Sequence, residues 1–297
     1  MKKIISLLLV ALMLATCFTF VACGDDEEEK FVALDATDLL KEDFGIAVKK
    51  GNTALMAEVN KVIDAWVADG TMQKYIDYYT DLADYEAGVE GVAKPEAGDL
   101  KVTWDFGSAT EVITVYTESG FAPFEFISNG KVIGVDIAIM NQVALNMGKK
   151  VVVEDVLFDT IPTCVKQSTG DAVGAAGLSI TDERKAEVDF SSIYFSSTLV
   201  IVSAEGKSIS SVKDLSGLKV AVQEGTSGDL IISSAATSKG HVYENEDGDE
   251  VKVTVSDKTE IKRYKQYALA YADLKAGRVD AILMDKLPAQ TMLAVAE

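Results

Sequence analysis

The sequence predicts an α/β fold whose mainly parallel sheets are covered by helices, and two observations carry that prediction. From Ile113 onward, short β-rich runs alternate with helical patterns, the rhythm of strand–helix–strand crossovers. The chain is also large and apolar enough for one or two domains, with 297 residues, 48% of them hydrophobic and 25% charged.

The first 22 residues stand outside that fold. Lys2 and Lys3 lead into an apolar run from Ile4 to Ala22, the pattern of an export signal. Its length would also serve an uncleaved anchor. The break "FVACGDDEEEK" resembles the lipobox of bacterial lipoproteins, which implies cleavage before Cys23 and lipidation of that cysteine. Residues 23–29 then read as a solvated acidic spacer. Of the three cysteines only Cys164 remains in the body of the chain, so no internal disulfide is expected. Among Ile161, Val165 and other apolar neighbours, Cys164 reads as a buried small hydrophobe.

The formal charge of −19 becomes −21 when Lys2 and Lys3 leave with the signal. Such a surface repels nucleic acid and anionic lipid. One histidine, His241, and the lack of a phosphate-binding "GxxxxGK[ST]" motif argue against a histidine metal site and nucleotide hydrolysis. No cofactor, no metal and no catalytic residue is expected.

Taken in order, the chain begins with "FGIAV", a strand, and a helix capped by Asn52. Leu55, Met56, Val59, Val62, Ile63, Trp66 and Val67 make one apolar stripe on that helix. Gly70 stops it, and Thr71 caps a second helix through Tyr75, Ile76 and Tyr79. Residues 85–108, rich in Gly and acids and containing Pro95, read as a linker in which Val102 and Trp104 can pack. Strands follow at "EVITVYT", "VVVEDVLF", "GDAVGAAGLS", "STLVIVSA", "LKVAVQEG" and "RVDAILMD", with helices between them. Asp136 is expected to cap the helix that Gly148 ends. A helix is expected near Ile161 to Gln167. "HVYENEDGDEVKVTV" is the exception, a hairpin turning at Asp247-Gly248, inserted at residues 240–256.

Binding sites of such sheets lie beyond the carboxyl ends of strands. That rule selects the loops "TESGFAPFEF", "LFDTIP", "AAGLSITDER", "QEGTSGD" and "DKLPAQ". A free amino acid needs partners for a carboxylate and an ammonium. Arg184 offers a guanidinium fork, while Ala176, Gly177 and the Ser179 hydroxyl lie on the loop before it. Gln223, Gly225, Thr226 and Ser227 open a second helix with more donors, and Asp285 at a strand end can accept from an ammonium. Phe121 and Phe158 can wall the ligand, and Glu118 can face the far end of its side chain. Taken singly, each has a plainer role: an exposed arginine, a capped helix, a core phenylalanine.

In order, "YTESGFAPFEF", "GVDIAIMNQVA", "GLSITDERKAEVDFSSIYF", "LKVAVQEGTSGD" and "IKRYKQYALAYADLKAGRVDAILMD" resemble bacterial solute-binding proteins for polar amino acids, the extracellular receptors of ABC importers. The resemblance covers Ile113 to Glu297 and implies the two-lobed fold of type II periplasmic-binding proteins. It gives Arg184 the ligand carboxylate, Asp285 the ammonium and Phe121 a flank of the ligand. It further implies a monomer that closes around its guest and docks on a membrane permease. Localisation would be the outer face of the cell membrane, through the Cys23 lipid.

"EDFGIAVKKGNTALMAEVNKVIDAWVADGTMQKY" resembles the same family's C-terminal end, although it stands near the start of this chain. The implication is a circular permutation in which residues 30–46 join residues 199–297 in one lobe. Residues 47–198 form the other, with the linker inside it. A swapped dimer and a leftover duplicated fragment are the rival readings. Glu118 leaves the guest open between a basic or amide-bearing amino acid and cystine or a relative of it. The same fold also hosts dehydratases, for which Glu118 is the one candidate acid or base.

Overall fold

The computed structural model describes residues 30–36, 39, 41–100, 104–244 and 249–294. The signal segment, Cys23, the acidic spacer, Val102 and the Asp247-Gly248 turn lie outside the described residues. No described helix is long and apolar enough to cross a membrane.

The described chain opens with β1 (Phe31–Asp35), β2 (Lys41–Phe44) and β3 (Ala47–Val48), followed by α1 (Thr53–Asp69) and α2 (Thr71–Ala87). Next come β4 (Val112–Thr117), β5 (Gly120–Phe121), β6 (Glu125–Ser128), β7 (Lys131–Ile133), α3 (Val135–Met147) and β8 (Lys150–Asp155). A 3-10 turn at Phe158–Thr160 leads to α4 (Ile161–Gln167), β9 (Ala172–Gly174), α5 (Asp182–Glu187), β10 (Asp189–Phe190) and the long β11 (Phe195–Ala204). The remainder is β12 (Lys219–Gln223), α6 (Ser227–Ala235), β13 (His241–Glu244), β14 (Glu250–Val253), β15 (Glu260–Tyr264), α7 (Tyr267–Lys275), β16 (Ala281–Asp285) and α8 (Lys286–Ala294).

Two large sheets result, one per lobe, beside a small antiparallel sheet of β5, β6 and β7. The first has the order β10-β3-β9-β4-β8, parallel across β9, β4 and β8 and antiparallel at β3. The second has the order β1-β11-β16-β12-β15. It is parallel across β16, β12 and β15 and antiparallel where β11 meets β1 and β16. β2 continues the pairing of β1 along the first half of β11. The expected hairpin is β13 and β14, paired antiparallel.

Sequence patterns explain the elements. β4 alternates half-buried and buried residues, as a strand covered unequally on its two faces does. α3 is apolar nearly all round because α1 and α2 cover one side of it and the first sheet the other. In α1, Asn52 caps through its side chain, which accepts from the Leu55 N–H at 3.3 Å. Leu55, Val59, Val62 and Ile63 are buried, but the apolar stripe narrows at its end. Trp66 turns to stack on Tyr75 at 4.4 Å, and Val67 is left 51% exposed.

Several local expectations are corrected. Gly70 takes the cap position of α2, with a left-handed conformation, and Thr71 is the first helical residue. α2 runs three residues into the expected linker, to Ala87. Gly134 rather than Asp136 precedes α3, and Asp136 is buried inside the first turn. Cys164 is half-buried, since α4 presents only Ile161 and Val165 fully to the core.

One apolar cluster joins the faces on which α1, α2, α3 and α7 pack, and Phe44 sits within it. Phe44 is fully buried and meets Phe121, Phe124, Tyr194 and Phe195 at ring-centroid distances of 5.3 to 6.4 Å. The segment around β2 and β3 is therefore part of the core.

Candidate functional site

The first wall of the site is the loop between β9 and α5. Gly177 has φ +53°, and a Cβ there would stand 2.7 Å from Phe121 Cε1, so only glycine lets the loop lie against that ring. Its N–H donates to Asp136 Oδ2 at 3.0 Å, while Ala176 is buried in a cluster with Phe158, Ile161 and Leu178. Thr181 caps α5 by accepting from the Arg184 N–H. The cap points Arg184 inward, with only 8% of its surface exposed. Its Nη1 donates to the Ser179 carbonyl at 2.7 Å and its Nη2 to the Gly225 carbonyl at 3.0 Å. The guanidinium lies 5.3 Å from the centre of the Phe158 ring, a cation–π contact.

The second wall is the turn from β12 into α6. Thr226 caps α6, and Gly225, at φ +78°, lets the turn approach the first lobe. A Cβ on Gly225 would stand 2.9 Å from Asp159 Cβ. The Ser227 hydroxyl is 3.1 Å from that of Ser179. Gln223 and Gln266 donate to the two oxygens of Glu118 at 3.0 and 2.8 Å. Asp285 ends β16 with 6% exposure and accepts from the Ser197 hydroxyl.

The geometry thus gathers Arg184, Ser179, Gly225, Ser227 and Asp285 at the seam between the lobes. Phe121 stacks on Tyr267 at 6.1 Å, and Phe158 lies under Arg184. Glu118 and Gln223 stand together at one end.

Besides Tyr267, which stacks on Phe121, three further residues reach the seam that reading the loops did not select. They are Glu42, Ser197 and Gln266. β2 and β16 lie on opposite edges of β11, with Glu42 facing Ser197 and Asp285 facing Leu199. Cross-strand partners share a face, and so do residues two apart on one strand. Glu42, Ser197 and Asp285 therefore project from the same face of three adjacent strands. Main-chain bonds from Gly45 N to the Leu178 carbonyl and from Ile180 N to the Asp43 carbonyl tie β2 to the Ser179 loop. The Ser179 hydroxyl donates to Glu42 Oε2 at 3.0 Å. The available signal was that "KEDFGIAV" forms a crossing strand, which brings one of its acids to the seam.

Burial sets the electrostatics. It lowers the Arg184 pKa, against which the charges of Glu42, Asp285 and Glu183 hold the guanidinium protonated. Burial raises the Glu42 carboxyl, opposed by the hydroxyls of Ser227 and Ser179 and by Arg184. Asp285 is pushed well above the usual carboxylate range by burial and then by the charge of Glu42, with Ser197 and Arg184 opposing. Glu118 is raised by burial, with Gln223 and Gln266 stabilising its charged form. Among the described residues no group of three or more His, Cys, Asp or Glu side chains could hold a metal ion.

A two-lobed α/β fold with a charged seam is an arrangement found in solute-binding proteins, though the fold alone does not fix function. Residues 113–276 match the model of the bacterial extracellular solute-binding proteins, family 3, and the chain belongs to that family. Among its relatives is the arginine-binding extracellular protein ArtP of Bacillus subtilis, 27% identical over 183 residues, 62% of this chain and 64% of the relative. The chain spans just under two thirds of the length of the curated relatives it matches. Among solved structures, the arginine-bound form of truncated ArgBP from T. maritima is similar at a TM-score of 0.52 and 30% identity, over 62% of this chain and 77% of that one. The ancestral amino acid-binding protein AncCDT-1, a precursor of cyclohexadienyl dehydratase, is similar at a TM-score of 0.51 and 27% identity, over 62% and 74%.

Proposed function

We propose that this protein is an extracellular receptor that binds a polar L-amino acid between its lobes and delivers it to an ABC-type permease. The observation that carries the reading is the convergence of Arg184 and Asp285. Arg184 stands on α5, beyond β9 of the first sheet, and Asp285 ends β16 of the second, and each charge acts on the other. A zwitterion has one group for each. Its carboxylate would take the Arg184 fork and the hydroxyls of Ser179 and Ser227, and its ammonium would take Asp285. Phe121 and Phe158 would flank it, and Glu118 would meet a basic or amide side chain. Contacts with both lobes would make binding favour the closed arrangement.

The relatives whose names specify arginine support an amino-acid guest with a cationic side chain. Lipidation of Cys23 would keep the receptor near its permease. Glu118 reads as a specificity residue rather than an acid–base catalyst, because both its oxygens already accept amide N–H groups.

Circular permutation remains our reading of the chain order. In its support, β1 and β2 pair with β11, β3 pairs with β9 and β10, and α1 and α2 pack on α3. Lobe boundaries at residues 46/47 and 198/199 follow from it.

The test of function is a thermal-shift screen of the protein without its first 22 residues against the proteinogenic amino acids and cystine. A guest at 100 times its Kd should stabilise by about 2.7 kcal/mol. No shift with any of them would reject the receptor reading.

A further inference from the structure

The donors that the proposed function assigns to a guest carboxylate already face a carboxylate of the protein. Glu42 Oε2 accepts from Ser179 at 3.0 Å, and the Ser227 hydroxyl lies within reach of the same group. The Arg184 charge acts on it as well. Strand pairing sets this placement: Glu42 stands opposite Ser197 in the β2–β11 register, and the main chain on either side of Phe44 is bonded to the Ser179 loop.

A free amino acid brings two charges to this seam, and Glu42 acts oppositely on them. The guest's carboxylate would compete with Glu42 for the same two hydroxyls. If both carboxylates stayed, two like charges would share one buried donor set, which disfavours the charged form of each. An ammonium, by contrast, would meet Glu42 and Asp285 together, two acids whose mutual repulsion it relieves. The wider seam has the same bias, since Glu42, Glu118 and Asp285 outnumber Arg184.

We propose that Glu42 is a specificity-determining residue, a built-in carboxylate that penalises guests carrying their own α-carboxylate and favours the corresponding amines. The proposal rests on the reading of the seam as the guest site. It assigns to the protein a measurable affinity for decarboxylated, cationic amines beside any affinity for amino acids.

Calorimetry on matched pairs tests it: L-arginine with agmatine, L-lysine with cadaverine, and L-histidine with histamine. Each pair differs by one carboxylate, and each is titrated into the wild type and E42Q. E42Q should raise the ratio of amino-acid affinity to amine affinity at least tenfold for every pair that binds. E42A should move the ratio the same way, which separates loss of the charge from any bond made by the new amide. A Glu42 that served only to hold the strand would weaken both members of a pair alike and leave the ratio unchanged. An unchanged or lowered ratio with binding intact overturns the role of Glu42 while leaving the seam as the guest site. Absence of binding by every probe to both proteins overturns the two together.

Discussion

The Arg184 guanidinium, carried on the first lobe, donates to the carbonyl of Gly225 on the second at 3.0 Å. The glycine at the receiving end is what brings that carbonyl close, because any Cβ there would press on Asp159.

Removing this cation should cost affinity. Arg184→Ala is expected to weaken amino-acid binding by at least about 2 kcal/mol, the cost of truncating one partner of a buried charged contact. Calorimetry beside a thermal melt separates loss of binding from loss of fold. Near wild-type affinity in a folded variant would remove Arg184 from the carboxylate clamp.

Asp285→Asn should show the opposite behaviour of stability and function. Asp285 is buried beside Glu42, and the repulsion between them is relieved when one is neutral. The variant should melt no lower than the wild type, while affinity for an ammonium-bearing guest falls by about 1.5–3 kcal/mol. A lowered melting temperature with unchanged affinity would contradict both halves of this prediction.

Asp136 gives a pH signature. Burial lifts its carboxyl to about 7 against an ordinary value of 3.8, although the Gly177 N–H favours the charged form. A raised acid binds more protons folded than unfolded. Its contribution to stability is full below the unfolded pKa and is lost as pH rises through about 7. Asp136→Asn does not titrate there, so its stability relative to wild type should increase between pH 4 and pH 8. Urea midpoints that keep a constant difference over that range would refute the assignment.

Phe44 tests the opening segment. It is fully buried among four aromatic rings, so Phe44→Ala should destabilise by about 3–5 kcal/mol. Denaturant unfolding monitored by tryptophan fluorescence measures this. A loss below about 1 kcal/mol, the scale of an ordinary surface change, would mean that the segment is dispensable.

The permuted reading of the chain order can be tested by rearrangement. A rearranged chain that begins at Glu111, runs to Glu297 and continues through residues 30–88 should fold as a monomer with the same guest preference, since surface termini that lie close together tolerate such joins. Light scattering after size exclusion reports its mass, and that of the natural order. A dimer in the natural order that becomes a monomer on rearrangement would favour strand exchange between two chains.

Much of this protein was legible in its residue order. The α4 boundaries, the Asn52 cap, the antiparallel hairpin and the burial of Leu55, Val59, Val62 and Ile63 follow from period, cap and turn chemistry, all of which act within a few residues. The loops carrying Arg184, Ser227 and Asp285 were also legible as strand-end loops, which the folded sheets bring together. Local errors arose where a distant neighbour outweighed a local preference. Asp136 suits a helix cap, but the Gly177 N–H draws it into the first turn.

Glu42 marks the boundary between the two kinds of information. Sequence alone determined that an acid stands two residues before Phe44 on a short crossing strand. That this acid faces Ser197, shares a sheet face with Asp285 and bonds Ser179 was decided by the register of β2 against β11. Register depends on which faces are buried once distant strands meet, and a slip of one residue would turn Glu42 to the opposite face. Chain order holds the chemistry of each group, but the joint presence of these groups at the seam is a property of the folded sheet.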